Sequence, residues 1–265
     1  MRPVLERDQL YRRVLALRAR GLSYSRIIEA VRTEAGVTLR KSHLHDWIQG
    51  KHRPLGSVHQ FSNEPSQELA YLIGVAKGDA ALDVQKWNYR IRLRVIDRDF
   101  TQEFDRCVCR VLGCRPHSIM WIDSRSQWSI EVCSLLLYKF LRQPLSKLET
   151  AIEHCQSCVS AFLRGFFDSE GSISGRTLNI SNTRLVNLSY CKRLLKSLGL
   201  SVTGPHMGRK GGRLVVIKGR LYRANRNQYN LRVRTRSLLD FRNLVGFSIK
   251  RKRIALNRAL APNSN

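Results

Sequence analysis

The chain has 265 residues, of which 43% are hydrophobic and 25% charged, and this ordinary globular composition excludes a disordered chain. Its 47 Lys+Arg against 20 Asp+Glu leave a formal net charge of +27, an excess that calls for a polyanionic partner. No stretch is long and apolar enough to span a bilayer and none reads as a secretory signal, so the expected setting is intracellular, without a membrane partner, in cytoplasm or nucleoid or in an organelle matrix of a eukaryotic host.

Residues 7–50 read as three short helices. The first covers 8–20, with Leu10, Val14 and Leu17 on one face, and Gly21 ends it. Ser23 is placed as the N-cap of the second, which carries Ile27, Ile28 and Val31, and a turn near Gly36 follows. The third, 42–50, offers Leu44, Trp47 and Ile48 to a small core and leaves Lys41, His43 and His45 outside. The pattern resembles a helix-turn-helix, which makes 1–50 a candidate DNA-binding domain with those three residues as contacts. Residues 51–65 carry turn formers and read as a linker.

From Ser66 onward one order of elements appears twice: an apolar helix ending in an acid, two strands, a helix, more strands and closing helices. The first copy, 66–156, has helices over 68–78 and 97–112, strands within 81–96, 118–122 and 128–133, and closing helices near 135–142 and 144–154. The second, 157–265, has helices over 158–168 and 183–198, strands within 172–181 and 202–233, and closing helices at 235–244 and 249–260. Seven cysteines fit a reducing compartment, and Cys155-x-x-Cys158 and Cys107-x-Cys109 sit among apolar helical neighbours, which favours packing over zinc.

The duplicated helix ends carry the chemistry. In Leu69-Ala70-Tyr71-Leu72-Ile73-Gly74-Val75-Ala76-Lys77-Gly78-Asp79-Ala80 and Phe162-Leu163-Arg164-Gly165-Phe166-Phe167-Asp168-Ser169-Glu170-Gly171-Ser172, small residues recur four apart (Gly74 and Gly78, Gly165 and Ser169), so two helices can approach backbone to backbone. Each helix then ends in an acid. Two carboxylates at the negative ends of adjacent helix dipoles repel, unless a cation lies between them. Hard oxygen ligands suit Mg²⁺ or Mn²⁺, and the chemistry that follows is phosphodiester hydrolysis.

At these residues the chain resembles the LAGLIDADG homing endonucleases in their single-chain, two-motif form, from about Ser66 to the end, with 163–171 the closer match. The resemblance implies an α+β fold: a pseudo-two-fold duplicated αββαββα domain with antiparallel saddle sheets, here preceded by the small all-α domain. It implies a monomeric enzyme that cleaves a long asymmetric double-stranded DNA target with a divalent metal. The metal maps onto Asp79 and Glu170, with the adjoining Gly78 and Ser169. The earlier acid of the second motif maps onto Asp168, where the first copy has Lys77, and Ala80 replaces the usual glycine. A basic residue near the site is also implied, and aligning 142–147 with 245–250 nominates Lys147 and Lys250 as catalytic.

Strands with alternating arginines supply the DNA surface: Tyr89-Arg90-Ile91-Arg92-Leu93-Arg94-Val95 and Tyr229-Asn230-Leu231-Arg232-Val233-Arg234 put apolar side chains on one face and arginines on the other. The candidate readers are Arg90, Arg92, Arg94, Arg125, Gln127, Asn179, Asn182, Arg232 and Arg234. Between residues 205 and 258 stand 16 Lys+Arg against the single acid Asp240, and 208–212 reads as a mobile loop. Two other readings stay open: a catalytically idle transcription regulator, and an RNA maturase that binds intron RNA.

Overall fold

The computed structural model describes residues 4–51, 54, 61–85, 88–217 and 220–261, so much of the 51–65 linker lies outside the described residues. The chain divides into two compact units, Met1–Val58 and His59–Asn265.

The first unit is helical: α1 (Val4–Ala19), α2 (Tyr24–Ala35) and α3 (Lys41–Ile48). Ser23 caps α2 by accepting the Arg26 N–H, and Gly36 ends it with φ 60, a left-handed conformation that glycine adopts without steric cost. Leu10, Val14, Leu17, Ile27, Val31, Leu44 and Trp47 form its core. Arg13 clamps Glu34 through two hydrogen bonds of 2.8 and 2.5 Å, tying α1 to α2.

The second unit holds the duplication. Its first copy runs α4 (Gln67–Lys77), β1 (Ala81–Gln85), β2 (Asn88–Val95), α5 (Arg98–Leu112), β3 (Met120–Ile122), β4 (Gln127–Cys133), α6 (Leu135–Leu141) and α7 (Glu149–Ile152). The second runs α8 (Gln156–Glu170), β5 (Gly171–Ser174), β6 (Thr177–Asn182), α9 (Leu185–Ser197), β7 (Val202–Arg209), β8 (Leu214–Ile217), β9 (Arg220–Arg223), β10 (Gln228–Val233), α10 (Leu238–Leu244) and α11 (Lys250–Leu260). The four-stranded sheets are β1-β2-β4-β3 and β5-β6-β10-β7, all neighbours antiparallel and in the same relative order. The fold is α+β, and one apolar core joins both sheets' inner faces to α4 and α8.

The copies part at two places. The predicted helix at 144–154 is a 3₁₀ turn, Leu145–Lys147, followed by the four residues of α7. Residues 208–212, read as a loop, instead lead from β7 into the ribbon β8–β9, which among the described residues pairs only with itself and has no counterpart in the first copy. Gly212 starts the ribbon at φ 83 and donates its N–H to the Ala224 carbonyl, and Ala224 returns a bond to Arg213. Leu214, Val216 and Leu221 share one ribbon face and are exposed.

Candidate active site

The acids are positioned by the contact between α4 and α8. A Cβ on Gly74 would overlap the Phe162 carbonyl oxygen and come 2.8 Å from the Phe166 nitrogen, and a Cβ on Gly165 would overlap the Tyr71 carbonyl oxygen. One on Gly78 would collide with the Ser169 side chain. These small residues make the contact main chain to main chain, so the helices end side by side. Leu69, Leu72, Ile73, Leu163, Phe166 and Phe167 are fully buried on the flanks, each worth about 1.5–3 kcal/mol of removed apolar surface.

Glu170 is the last residue of α8, and its Oε1 accepts a 2.7 Å bond from Asn182 Nδ2. Burial pushes its carboxyl up to about 7, helped by the negative charge of Asp79 and opposed by Asn182 and by Lys252. Asp79 follows Gly78, the C-cap of α4. Asp79 is exposed, yet the protein packed around its carboxyl displaces enough water to push it up to about 6 against the pull of Lys252. Two partly desolvated carboxyls that repel each other form a hard oxygen donor set of the kind a divalent cation relieves. Beside Glu170 lies a polar cleft lined by Lys77, Gly78, Arg142, Asn182 and Arg184.

The basic residue brought to the acids is Lys252, which the sequence reading missed. It is 6% exposed, and its Nζ donates to the Phe167 carbonyl at 3.1 Å and to the Asp168 carbonyl at 2.5 Å, satisfying two of the last carbonyls of α8. Burial lowers its pKa, offset in part by Asp168 and Asp79. Lys250, nominated instead, is exposed at the first position of α11, with its backbone N–H on Asp99. Lys147 is exposed on its 3₁₀ turn. The signal was available: Lys252, Leu256 and Ala259 are spaced as one helix face, and that face is the buried one.

Asp168 and Lys77, the unlike pair inside the two motifs, do parallel jobs with opposite polarity. Asp168 accepts from the Ser248 N–H, the Ser248 hydroxyl and the Tyr71 hydroxyl at 2.5–3.2 Å. Lys77 donates to the Leu141 and Gln143 carbonyls at 2.9 and 2.6 Å. An acid meets donors in one copy and an ammonium meets acceptors in the other, each tying its motif helix to the closing segment of its own half.

Asn182, expected as a DNA reader, is turned the other way. In β6 the buried positions are Leu178, Ile180 and Asn182, so period two puts Asn182 on the core face, where it bonds Glu170. Asn179 is on the outer face and accepts from Arg232 across the β6–β10 register. Arg90, Arg92 and Arg94 lie opposite Ile91 and Leu93 on the outer face of β2. Arg90 and Arg92 are engaged there by Asp83, with Glu131 at 3.7 and 3.8 Å. Arg94 keeps its Nε buried and unpartnered, as does Arg209 of β7 in the second sheet, a residue the sequence reading passed over. Arg125 is exposed in the turn between β3 and β4, Gln127 is half-buried, and Arg232 and Arg234 are exposed at the end of β10. In the helical unit Lys41 and His45 are exposed, while His43 is half-buried with its ring centroid 4.4 Å from that of Trp47.

Residues 157–246 match the family described as LAGLIDADG-like domain. The uncharacterized protein MJ0398 of Methanocaldococcus jannaschii is 33% identical over 258 residues, covering 95% of this chain and 93% of that protein. Among solved structures, the homing endonuclease I-DmoI in complex with DNA and Ca matches with a TM-score of 0.52 at 18% identity, over 72% of this chain and 97% of that one. Full-length DUF199/WhiA from Thermatoga maritima matches at 16% identity and a TM-score of 0.49, over 75% of this chain and 60% of that one. With a LAGLIDADG-like domain matched over 157–246, its motif helix in backbone contact with the first copy's, and two four-stranded antiparallel sheets of one order, the chain belongs to the LAGLIDADG family.

Proposed function

We propose that the chain is a site-specific endonuclease of the intron-homing type, acting as a monomer on a long, asymmetric double-stranded DNA target. The observation that carries this reading is the acid pair: Asp79 and Glu170 converge at adjacent helix ends, and their carboxyls are raised to about 6 and about 7. A pure DNA binder gains nothing from two partly desolvated carboxyls that one buried lysine only partly offsets, beside a polyanion.

The residues divide the work. Asp79 and Glu170, with the main-chain oxygens of Gly78 and Ser169, would hold Mg²⁺ or Mn²⁺, which supplies positive charge to polarise the scissile phosphate and acidify water. Asn182 fixes the rotamer of Glu170. Lys252 holds the end of α8 and keeps a positive charge beside both acids. Arg142 and Arg184 border the cleft next to Glu170 and are placed to meet backbone phosphates. Arg125, Arg232 and Arg234, all exposed, extend the basic surface on which DNA would lie. The helical unit, with Lys41, His43 and His45, serves as an accessory reader in the manner of a helix-turn-helix. I-DmoI, a homing endonuclease solved with DNA and Ca, supplies the precedent on this fold.

The test is a supercoiled plasmid carrying the joined flanks of the gene's insertion point, incubated with Mg²⁺ or with EDTA. Wild-type protein is expected to linearise it only with metal, and Asp79→Asn and Glu170→Gln to bind it without cutting. Full cleavage by either variant removes the acid from the site. Tight binding with no cleavage by wild type in Mg²⁺ or Mn²⁺ would favour the idle regulator.

A further inference from the structure

Outside the acid pair, the end of α5 gathers a second group of ligand-type side chains. The thiols of Cys109 and Cys114 and a ring nitrogen of His117 lie within 4.8 Å of one another, a spread small enough for one ion to touch all three. The local fold explains why. Cys109 is in the last turn of α5, Gly113 ends that helix with φ 60, and the Cys114 N–H returns to the Cys109 carbonyl at 3.2 Å, which folds Cys114 back beside Cys109. His117 is drawn in by Asp105, one helical turn before Cys109.

Asp105 is a built support rather than a chance neighbour. It is 6% exposed, its carboxylate accepts the His117 N–H at 3.2 Å on each oxygen, and its Oδ1 lies 2.7 Å from His117 Nδ1. A carboxylate on Nδ1 selects the tautomer with the proton there and leaves the Nε2 lone pair free, the arrangement that orients metal-binding histidines. The carboxylate also receives the Cys109 thiol at 3.5 Å. Cys107, two residues earlier, bonds instead to Glu103.

We propose that Cys109, Cys114 and His117 form a zinc site, with Asp105 holding the histidine. Two thiolates and a neutral imidazole match the soft, tetrahedral preference of Zn²⁺ over Mg²⁺, and three protein ligands leave the fourth position to water. On binding, each thiol gives its proton to solvent and its sulfur lone pair to the metal. The ion pins the end of α5 to the segment feeding β3, one of the two edge strands of the first sheet, and so to the turn that carries Arg125.

The second trio with the same spread, His154, Cys155 and Cys158 at the start of α8, serves as the internal control. Full-length protein, stripped with EDTA under a non-thiol reductant and then freed of chelator, is titrated with Co²⁺ and the thiolate-to-cobalt absorption is followed. Oxygen ligation at Asp79 and Glu170 contributes no such band. One equivalent is expected to develop the band in wild type and in Cys155→Ser, none in Cys109→Ser or His117→Gln, and Asp105→Asn is expected to weaken binding by ~10–100-fold at unchanged stoichiometry. Zn²⁺ should bleach the band. If Cys109→Ser does not fold, wild type and Cys155→Ser decide the matter alone. A wild type without the band, or a band lost in Cys155→Ser and kept in Cys109→Ser, overturns the site.

Discussion

Replacing Gly165 with alanine tests the helix contact that sets the acids. The new methyl would overlap the Tyr71 carbonyl oxygen and lie 3.2 Å from the Val75 nitrogen, and both are main-chain atoms of α4 that no rotamer change can move. The helices must separate, and overpacking of this kind costs up to about 3 kcal/mol. Alanine recovers about 1 kcal/mol through its better helix propensity, which leaves a loss of about 2 kcal/mol. For a unit the size of His59–Asn265 that corresponds to a drop in Tm of roughly 4–8 °C. Gly74→Ala meets Phe162 and Phe166 across the same gap, so the separation forced by one substitution partly accommodates the other. The double variant should therefore lose about 1 kcal/mol less than the sum of the singles. Urea unfolding followed by far-UV circular dichroism, in EDTA, measures all three. A Gly165→Ala protein within ~0.5 kcal/mol of wild type, or strict additivity in the double variant, would refute the backbone contact.

Other expectations concern charge. Loss of water around their carboxyls raises Asp79 and Asp168 to about 6 and Glu170 to about 7, so the folded chain keeps protons that the unfolded chain has released. Stability from these acids is greatest below their unfolded values near pH ~4 and is lost as pH climbs to about 7. Mg²⁺ meets the ionised pair, so it should raise Tm more at pH 8 than at pH 5.5; equal shifts would count against the pair as its site. Lys252→Met strands two buried carbonyls, a loss of about 1–3 kcal/mol, and removes the cation that restrains Asp79 and Glu170, so the acid limb of the cleavage profile should move to higher pH. An unmoved limb would separate Lys252 from the acids. Replacing residues 213–223 with Gly-Gly should leave stability within ~0.5 kcal/mol, because among the described residues the ribbon pairs only with itself, yet reduce the salt slope of DNA binding by about 0.9 for each phosphate that the ribbon neutralises. An unchanged slope would remove the ribbon from the DNA surface.

The parts legible in the sequence were those written by local period. Gly74, Gly78, Gly165 and Ser169 announced the helix contact, because four-residue spacing puts small side chains on one face whatever surrounds them. The arginines of β2 fell on the outer face, as alternation requires. Asn182 failed by the same rule, since the parity of β6 had to be anchored on Leu178 and Ile180 before its direction could be read. Lys250 was chosen over Lys252 by aligning short segments, whereas the buried face of α11 points to Lys252, the lysine that lies beside the acids. Cys109, Cys114 and His117 were invisible because a left-handed turn at Gly113 and a buried Asp105 bring them together, and neither has a periodic signature. The ribbon was merged into one long strand region because Lys210, Gly211 and Gly212 read equally well as a loop.

The exchange of Asp168 for Lys77 limits how the first motif can be edited. Restoring the acid at position 77 looks like a repair when the two motifs are laid side by side. It would aim a carboxylate at the Leu141 and Gln143 carbonyl oxygens, with neither the hydroxyls nor the backbone N–H that greet Asp168. The two halves have therefore become non-interchangeable parts, each motif keyed to its own closing segment, and a chimera that swaps the helices would have to carry those segments with them.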